Sequence, residues 1–319
     1  MVSKESLKKV VILAGPTASG KTSLAINLCL RANNVEIINA DSIQVYKEFK
    51  IGSAQPHEQE KKNIPHHLMN ILSPEESFTA ADFVKKTLTL IEEIHTQEKR
   101  ILIVGGTGFY LKALLYGMWK SDSESEGIEV NPEIKDFLNQ QHNEFLHKKL
   151  QSVDPITAKK INQNDRYRLI RSLEVIESTG KPLSEIQNEL NKDPNPMFEL
   201  WVIDRDKEEL NQRIEKRTQV MIQDGLIDEF QELSHKYPNA KALKSVGYAQ
   251  VYQYLNKITP EGRKVPHTLG GLASEISLAT RHLVKNQRTW FRGQKNAKWF
   301  ILDQDIKKLT QEFDKIYYK

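Results

Sequence analysis

Gly15, Gly20, Lys21 and Thr22 stand in the stretch AGPTASGKTSL in the order glycine, four residues, glycine, lysine, threonine. That spacing builds a phosphate loop. Two glycines let the backbone fold so that its N–H groups converge on phosphate oxygens, and a helix starting behind them adds its positive end. Lys21 adds a point charge, and the Thr22 hydroxyl is placed to ligate Mg²⁺. The whole run Gly15, Pro16, Thr17, Ala18, Ser19, Gly20, Lys21 and Thr22 is therefore read as phosphate-binding, with Thr22 the metal-side residue. Loops of this kind usually serve nucleotide hydrolysis or phosphoryl transfer, which calls for a second strand ending in an aspartate. Here the apolar run ILIV, residues 101–104, ends in GGTGFYL, and the well-placed carboxylate is Asp41 in IINADSIQVY.

Two further groups of basic residues differ in setting. Arg213 and Arg217 lie four residues apart on a predicted helix, within about 40° of each other and on the side of Leu210, Ile214 and Met221. Guanidinium groups on a core-facing side need an anion, either the phosphates of the loop's ligand or an internal partner such as Asp204 or Glu209. Arg281, Lys285, Arg288 and Arg292 follow the spacing i, i+4, i+7, i+11 in a segment without acids, with Leu283 and Trp290 opposite as anchors. This reads as one solvent-facing stripe suited to a phosphate backbone.

The elements that must position these groups follow from short β-branched runs alternating with helical periods. Val10–Leu13, Val35–Asn39, Ile101–Val104 and Phe198–Ile203 are predicted strands. Helices are predicted over Lys21–Ala32, over Thr79–Glu98 behind a Thr79-x-x-Asp82 cap with Phe83, Val84, Leu88, Ile91 and Ile94 on one face, and from Asp206 to about Lys236 as one long helix. The fold class is α/β: a phosphate-loop parallel sheet wrapped by helices. Only helical periods run from Pro132 to about Leu190, so an all-helical insertion domain over 118–197 divides the core into 1–117 and 198–319, the second part carrying the basic helix. In a parallel sheet the carboxyl ends of neighbouring strands share one crevice, which brings Asp41 to the phosphates.

Composition narrows the class of protein. The chain has 319 residues, 46 Lys and Arg against 42 Asp and Glu, and one cysteine, Cys29, which reads as a core residue. A lone cysteine excludes a disulfide framework and fits a reducing compartment; with no apolar run near the ~20 residues of a membrane span and no signal peptide, a cytoplasmic protein without membrane contact is expected. His66 and His67 lack a metal-binding spacing and read as structural.

GPTASGKT, NADSIQVYKEFKIGSAQP, PHHL, FTAADF, GGTGFYL, NDRYRLIRSLEV, SVGYAQ and KNQRTWFRG, in this order from Gly15 to Gly293, resemble the tRNA dimethylallyltransferase family. The resemblance implies transfer of a prenyl group from dimethylallyl diphosphate to the N6 amine of adenosine 37 beside the tRNA anticodon. It implies that the loop holds the donor's diphosphate, with Arg217 and Arg213 as further clamps. Asp41 becomes the general base or hydrogen-bond acceptor for the amine, assisted by Thr22 and Arg217. Contacts to the anticodon stem-loop are implied for Asp41, Ser42, Ile43, Gln44, Thr107, Lys135, Arg168, Arg171, Lys285, Gln287, Arg288 and Arg292. At Lys135 the family usually has arginine, so charge is kept and bidentate geometry lost. A monomer using Mg²⁺ is expected. The alternatives are a small-molecule kinase, which the missing second-strand aspartate disfavours, and prenyl transfer to free AMP, for which the insertion and basic stripe are superfluous.

Overall fold

A computed structural model describes residues 9–32, 34–117, 131–189, 193–258 and 265–318. The chain divides into two compact units, residues 1–111 with 196–319, and residues 112–195. The expected boundary at residue 118 and the whole of the polar stretch SDSESEG, residues 121–127, fall at 118–130, outside the described residues.

The larger unit is built on β1 (Val10–Ala14), α1 (Lys21–Ala32), β2 (Val35–Ala40), α2 (Glu58–Lys61), β3 (His66–His67), α3 (Ala80–Thr96) and β4 (Arg100–Gly105). Helix α4 (Gly108–Tyr116) follows. The smaller unit contributes α5 (Pro132–Gln140), α6 (Asn143–Val153), α7 (Pro155–Lys160), α8 (Arg166–Thr179) and α9 (Leu183–Glu189). The chain then returns through β5 (Phe198–Asp204), α10 (Lys207–Gln223), α11 (Leu226–Lys236), α12 (Tyr248–Leu255), α13 (Leu269–Arg292), β6 (Lys298–Ile301) and α14 (Leu302–Tyr317).

The six strands form one parallel sheet in the order β3-β2-β4-β1-β5-β6. Strand β1, VVILA, is buried along its whole length because it is central and covered on both faces. The connection from β1 to β2 leads to one side of the sheet and β5 adds to the other, so the crevice at such a reversal opens at the carboxyl end of β1. Strands β3 and β6 were not expected. One is two histidines long and the other is a four-residue edge strand, and neither is long enough to carry a period.

A core of Val11, Leu13, Leu28, Trp201, Phe300 and Phe313 unites the sheet with α1 and α14. The Tyr317 hydroxyl donates to the Ile101 carbonyl at 2.5 Å and accepts from the Val11 N–H at 3.3 Å, pinning α14 across two strands. Cys29 is buried in this core, and desolvation pushes its thiol up to about 12, so it packs as an inert apolar side chain. Helix α3 begins at the Thr79 cap, whose hydroxyl accepts the Asp82 N–H while Asp82 takes the Thr79 N–H. Its buried face is Ala80, Phe83, Thr87, Ile91 and Ile94; Leu88, assigned to that face from sequence, is exposed.

The expected single helix from Asp206 to Lys236 is two. The chain breaks at Asp224-Gly225, where Gly225 takes φ +99°, a left-handed conformation that ends a helix at little cost only in glycine. In the smaller unit Leu138, Leu146, Leu150, Leu169 and Leu173 make a separate core. Its buried Asp154 accepts from the N–H and hydroxyl of Thr157 and from the Ser184 N–H, capping α7 and tying α9 to it.

Candidate active site

The phosphate loop occupies the crevice at the end of β1. Gly15 lies so close to β5 that a Cβ there would stand 2.4 Å from the Ile203 carbonyl oxygen, which is why no larger residue fits. Gly20 adopts φ +94° and delivers the chain into α1, whose first turn is closed by the Leu24 N–H on the Gly20 carbonyl.

Side chains from three segments fix the loop's outer rim. Arg205 donates through Nε to the Ser19 carbonyl at 2.8 Å, Arg213 through Nε to the Ala18 carbonyl at 2.9 Å, and Arg217 through Nη2 to the Thr17 hydroxyl at 2.9 Å. Gln287 accepts the Thr17 N–H at 2.9 Å and donates to the Gly106 carbonyl at 3.0 Å, bridging this loop to the one after β4. Lys21 turns back onto the Pro16 carbonyl at 3.2 Å. A cleft of about 800 Å³ opens in front of these groups, lined by Thr17, Lys21, Thr22, Asp41, Arg213 and Arg217 among others.

The electrostatics of the cleft are unbalanced. Near the loop, Arg205 is paired with Glu209 and Asp303, and Arg288 with Asp204. The two carboxylates that could have paired internally with Arg213 and Arg217 are therefore engaged elsewhere. Among the described residues no carboxylate lies within ion-pairing distance of Lys21, Arg213 or Arg217. Burial lowers the Lys21 ammonium to about 8; the Asp41 charge partly offsets this and Arg217 adds to it. Burial likewise lowers Arg217, with Asp41 opposing and Arg213 reinforcing the shift. Three cations around one loop, two of them disfavoured as charges by burial, are an arrangement that a polyanion relieves.

Asp41 stands at the end of β2. Its Oδ1 accepts the N–H groups of Ile43 at 2.8 Å and Gln44 at 3.2 Å, an Asx turn that fixes the carboxylate while no described donor occupies Oδ2. Thr107 accepts the Ser42 N–H at 3.1 Å, joining the loops that follow β2 and β4. Gln44, which lines the cleft, donates through Nε2 to the carbonyls of Ser53 and Ala54 at 3.0 and 3.3 Å and so holds the next loop. Ile43 packs, partly buried, against the core that includes Phe49 and Tyr248.

The basic stripe on α13 is corrected. Its buried face is Leu272, Ile276, Thr280, Val284 and Phe291; Leu283, expected as an anchor, is exposed. Arg288 lies only about 40° around the helix from Val284, and its fork reaches Asp204 with Nε at 2.9 Å and Nη2 at 2.8 Å. These side chains are 16% and 9% exposed, so Arg288 is an internal residue rather than part of a solvent-facing stripe. Gln287 is likewise turned inward. Arg281 pairs with Glu215, while Lys285 and Arg292 are exposed. Arg213, expected on the core-facing side, sits at its exposed edge and reaches the loop from there.

In the smaller unit Lys135 is exposed on α5, and on α8 Arg168 is 69% exposed beside Asp165 at 3.3 Å while Arg171 bonds Glu174 at 3.0 Å. His67 bonds Glu36 at 2.6 Å and His66 the Ile64 carbonyl at 2.7 Å, both within the edge of the sheet. Sequence reasoning overlooked Arg205 and took Asp204 only as a partner for Arg213 or Arg217, although WVIDRD places both at the carboxyl end of a strand, the same signal that identified Asp41.

Residues 44–294 match the family model described as IPP transferase. A relative from Geotalea uraniireducens, tRNA dimethylallyltransferase 2, is 39% identical over 303 residues, 94% of each chain. One from Gloeothece citriformis, tRNA dimethylallyltransferase, is 40% identical over 304 residues, 92% of this chain and 94% of that one. Among solved structures, the tRNA isopentenylpyrophosphate transferase of Bacillus halodurans superposes with a TM-score of 0.68 at 31% identity, covering 98% of this chain and 97% of that one. A eukaryotic dimethylallyltransferase acting on tRNA superposes with a TM-score of 0.79 at 27% identity, covering 96% and 77%.

Proposed function

The chain belongs to the IPP transferase family, and from that premise we infer that it is a tRNA dimethylallyltransferase. It transfers the dimethylallyl group of dimethylallyl diphosphate to the N6 amine of adenosine 37 in tRNA and releases pyrophosphate. The observation that carries the reading onto this site is the convergence of Lys21, Arg213 and Arg217 on the phosphate loop with no carboxylate ion-paired to them among the described residues, and with Asp41 lining the same cleft.

In the reaction the N6 lone pair forms a bond to the allylic carbon as that carbon's bond to oxygen breaks, the electron pair leaving with pyrophosphate. The amine proton passes to Asp41, whose Oδ1 is fixed by two N–H groups while Oδ2 is left for the amine. The loop N–H groups, Lys21 and Arg217 meet the charge growing on the leaving diphosphate, and Arg213 closes its outer side. Adenosine 37 leaves its stack to reach Asp41, a cost of a few kcal/mol met by contacts to the extruded base. Mg²⁺ suits this site. Thr22 lines the cleft beside Lys21 and Asp41, and its hydroxyl would hold the ion together with oxygens of the donor's diphosphate. When bound, the ion adds neutralising charge at the departing diphosphate. The anticodon stem-loop is assigned to exposed Lys285 and Arg292 and to Lys135, Arg168 and Arg171 of the smaller unit, with the chain acting as a monomer in the cytoplasm. No helix among the described residues is long and apolar enough to cross a membrane.

Pyrophosphate release from dimethylallyl diphosphate in the presence of tRNA, AMP or neither tests the assignment. Release only with tRNA is expected; release with AMP alone, or ATP turnover without tRNA, would replace it with the free-nucleotide transferase or the kinase.

Lys21 gives a pH signature. Its lowered value means that above about pH 8 the free site has lost the ammonium that a diphosphate favours, so binding there takes up a proton and weakens as pH rises. Below pH 8 this group contributes no pH dependence. Calorimetry of a non-hydrolysable donor analogue at pH 7 and 9, in buffers of different ionisation heat, should show proton uptake only at pH 9. The difference should vanish in Lys21→Met.

Salt dependence separates the exposed residues of α13. Lys285→Ala and Arg292→Ala should each weaken tRNA binding alike for all sequences and reduce the slope of log affinity against log salt by roughly one. Donor affinity should stay constant; an unchanged salt slope in both variants would remove α13 from the tRNA surface.

A further inference from the structure

The segment following Asp41 is held in place from behind by a carboxylate that no step of the chemistry uses. Glu229, on α11, accepts three successive backbone N–H groups: Lys50 at 3.0 Å and Ile51 at 2.8 Å through Oε2, and Gly52 at 2.9 Å through Oε1. The Tyr248 hydroxyl donates to the same Oε1 at 2.6 Å. Successive N–H groups turned to one point form a concavity for an anion, and here the anion is a side chain of the protein itself. The Tyr248 ring is fully buried and lies directly under the loop, since a Cβ on Gly52 would stand 2.3 Å from its ring.

What the clamp holds leads back to the reaction. Residues Ile51, Ser53, Ala54 and Gln55 line the cleft. The carbonyls of Ser53 and Ala54 receive the Gln44 amide, and the Gln44 N–H is one of the two that fix Asp41 Oδ1. The path from Glu229 to Asp41 thus runs through three sets of hydrogen bonds, each within hydrogen-bonding distance, with no gap.

We propose that Glu229, seconded by Tyr248, is a positioning residue for the transfer: it sets the orientation of Asp41 through the 50–54 loop and Gln44. This rests on the reading of Asp41 as the group that takes the amine proton. Diphosphate binding does not depend on the path, because the loop after β1 is fixed independently by Arg205, Arg213, Arg217 and Gln287.

Glu229→Gln replaces one acceptor oxygen by a donor facing the N–H groups. Single-turnover transfer with the donor analogue's affinity measured alongside should show the rate falling 10- to 100-fold and donor affinity changing less than threefold. Tyr248→Phe, which keeps the ring under Gly52, should give a smaller loss of the same kind. Gln44→Leu breaks the path at its middle, so adding Glu229→Gln to it should lower the rate by no more than about twofold further. Full multiplication of the two losses, or equal falls in rate and donor affinity, overturns the proposal and leaves Glu229 a stability residue. A wild-type rate in Glu229→Gln also overturns it while leaving the transferase reading intact. The reading of Asp41 as the group that takes the amine proton fails separately, if Asp41→Asn transfers normally.

Discussion

Asp41→Asn should lower the rate of prenyl transfer by roughly 10²–10⁴, the contribution of a positioned general base, and leave the affinities for donor and tRNA within a few-fold. Asparagine is the informative replacement. Its Oδ1 can still accept from Ile43 and Gln44, so the Asx turn and the segment behind it survive, and only the proton acceptor is lost. Alanine would remove both, mixing loss of the base with collapse of the turn. The comparison of the two variants therefore apportions the carboxylate's roles. A rate for Asp41→Asn within threefold of the parent would show that the amine loses its proton to another group or to water, and Asp41 would be left as a turn residue.

The second large effect concerns stability. Arg288→Met strands Asp204, 9% exposed at the side chain, without the bidentate fork that compensates it. Removing one partner of a buried pair costs about 3–5 kcal/mol because the other charge remains desolvated. Urea unfolding should register this loss, and Arg288→Met with Asp204→Asn should recover most of it, since asparagine still accepts the Arg205 N–H that Asp204 now takes at 2.8 Å. The tRNA salt slope should be unchanged. Should Arg288→Met instead cost under 1 kcal/mol and reduce the salt slope by one, the arginine belongs to the exposed surface after all.

Arg288 shows where one-dimensional reading ends. Helical spacing places it beside Arg281, Lys285 and Arg292, and that placement is right for the backbone. A guanidinium on a long stem reaches well to either side of its Cα, however, and the nearer buried carboxylate decides which side. Lys285 and Arg292 lie only 40–60° further round and remain exposed.

The loop itself was legible because each part of the motif has a backbone reason. Gly20 needs its left-handed φ, Gly15 needs its closeness to Ile203, and strand and helix flank them in order. The cap at Thr79 and Asp82 was legible for the same cause, a short-range bond between fixed positions. The break at Gly225 carried an equally local signal in QDGL that the strong periodicity on both sides obscured. Strands β3 and β6 exist because a neighbouring strand pairs with them, and pairing is not local. The clamp of Glu229 on residues 50–52 joins segments about 180 positions apart, so no window of sequence contains both halves.

The central claim, that this cleft joins a donor diphosphate to a tRNA adenosine, is tested most directly by following the label. Protein, labelled dimethylallyl diphosphate, Mg²⁺ and unmodified tRNA are incubated together, and the tRNA is digested to fragments and nucleosides. The account predicts one label per tRNA, on N6 of the adenosine at position 37, matched by one pyrophosphate released. Label absent from tRNA while pyrophosphate is released, or label on another nucleotide, would contradict it.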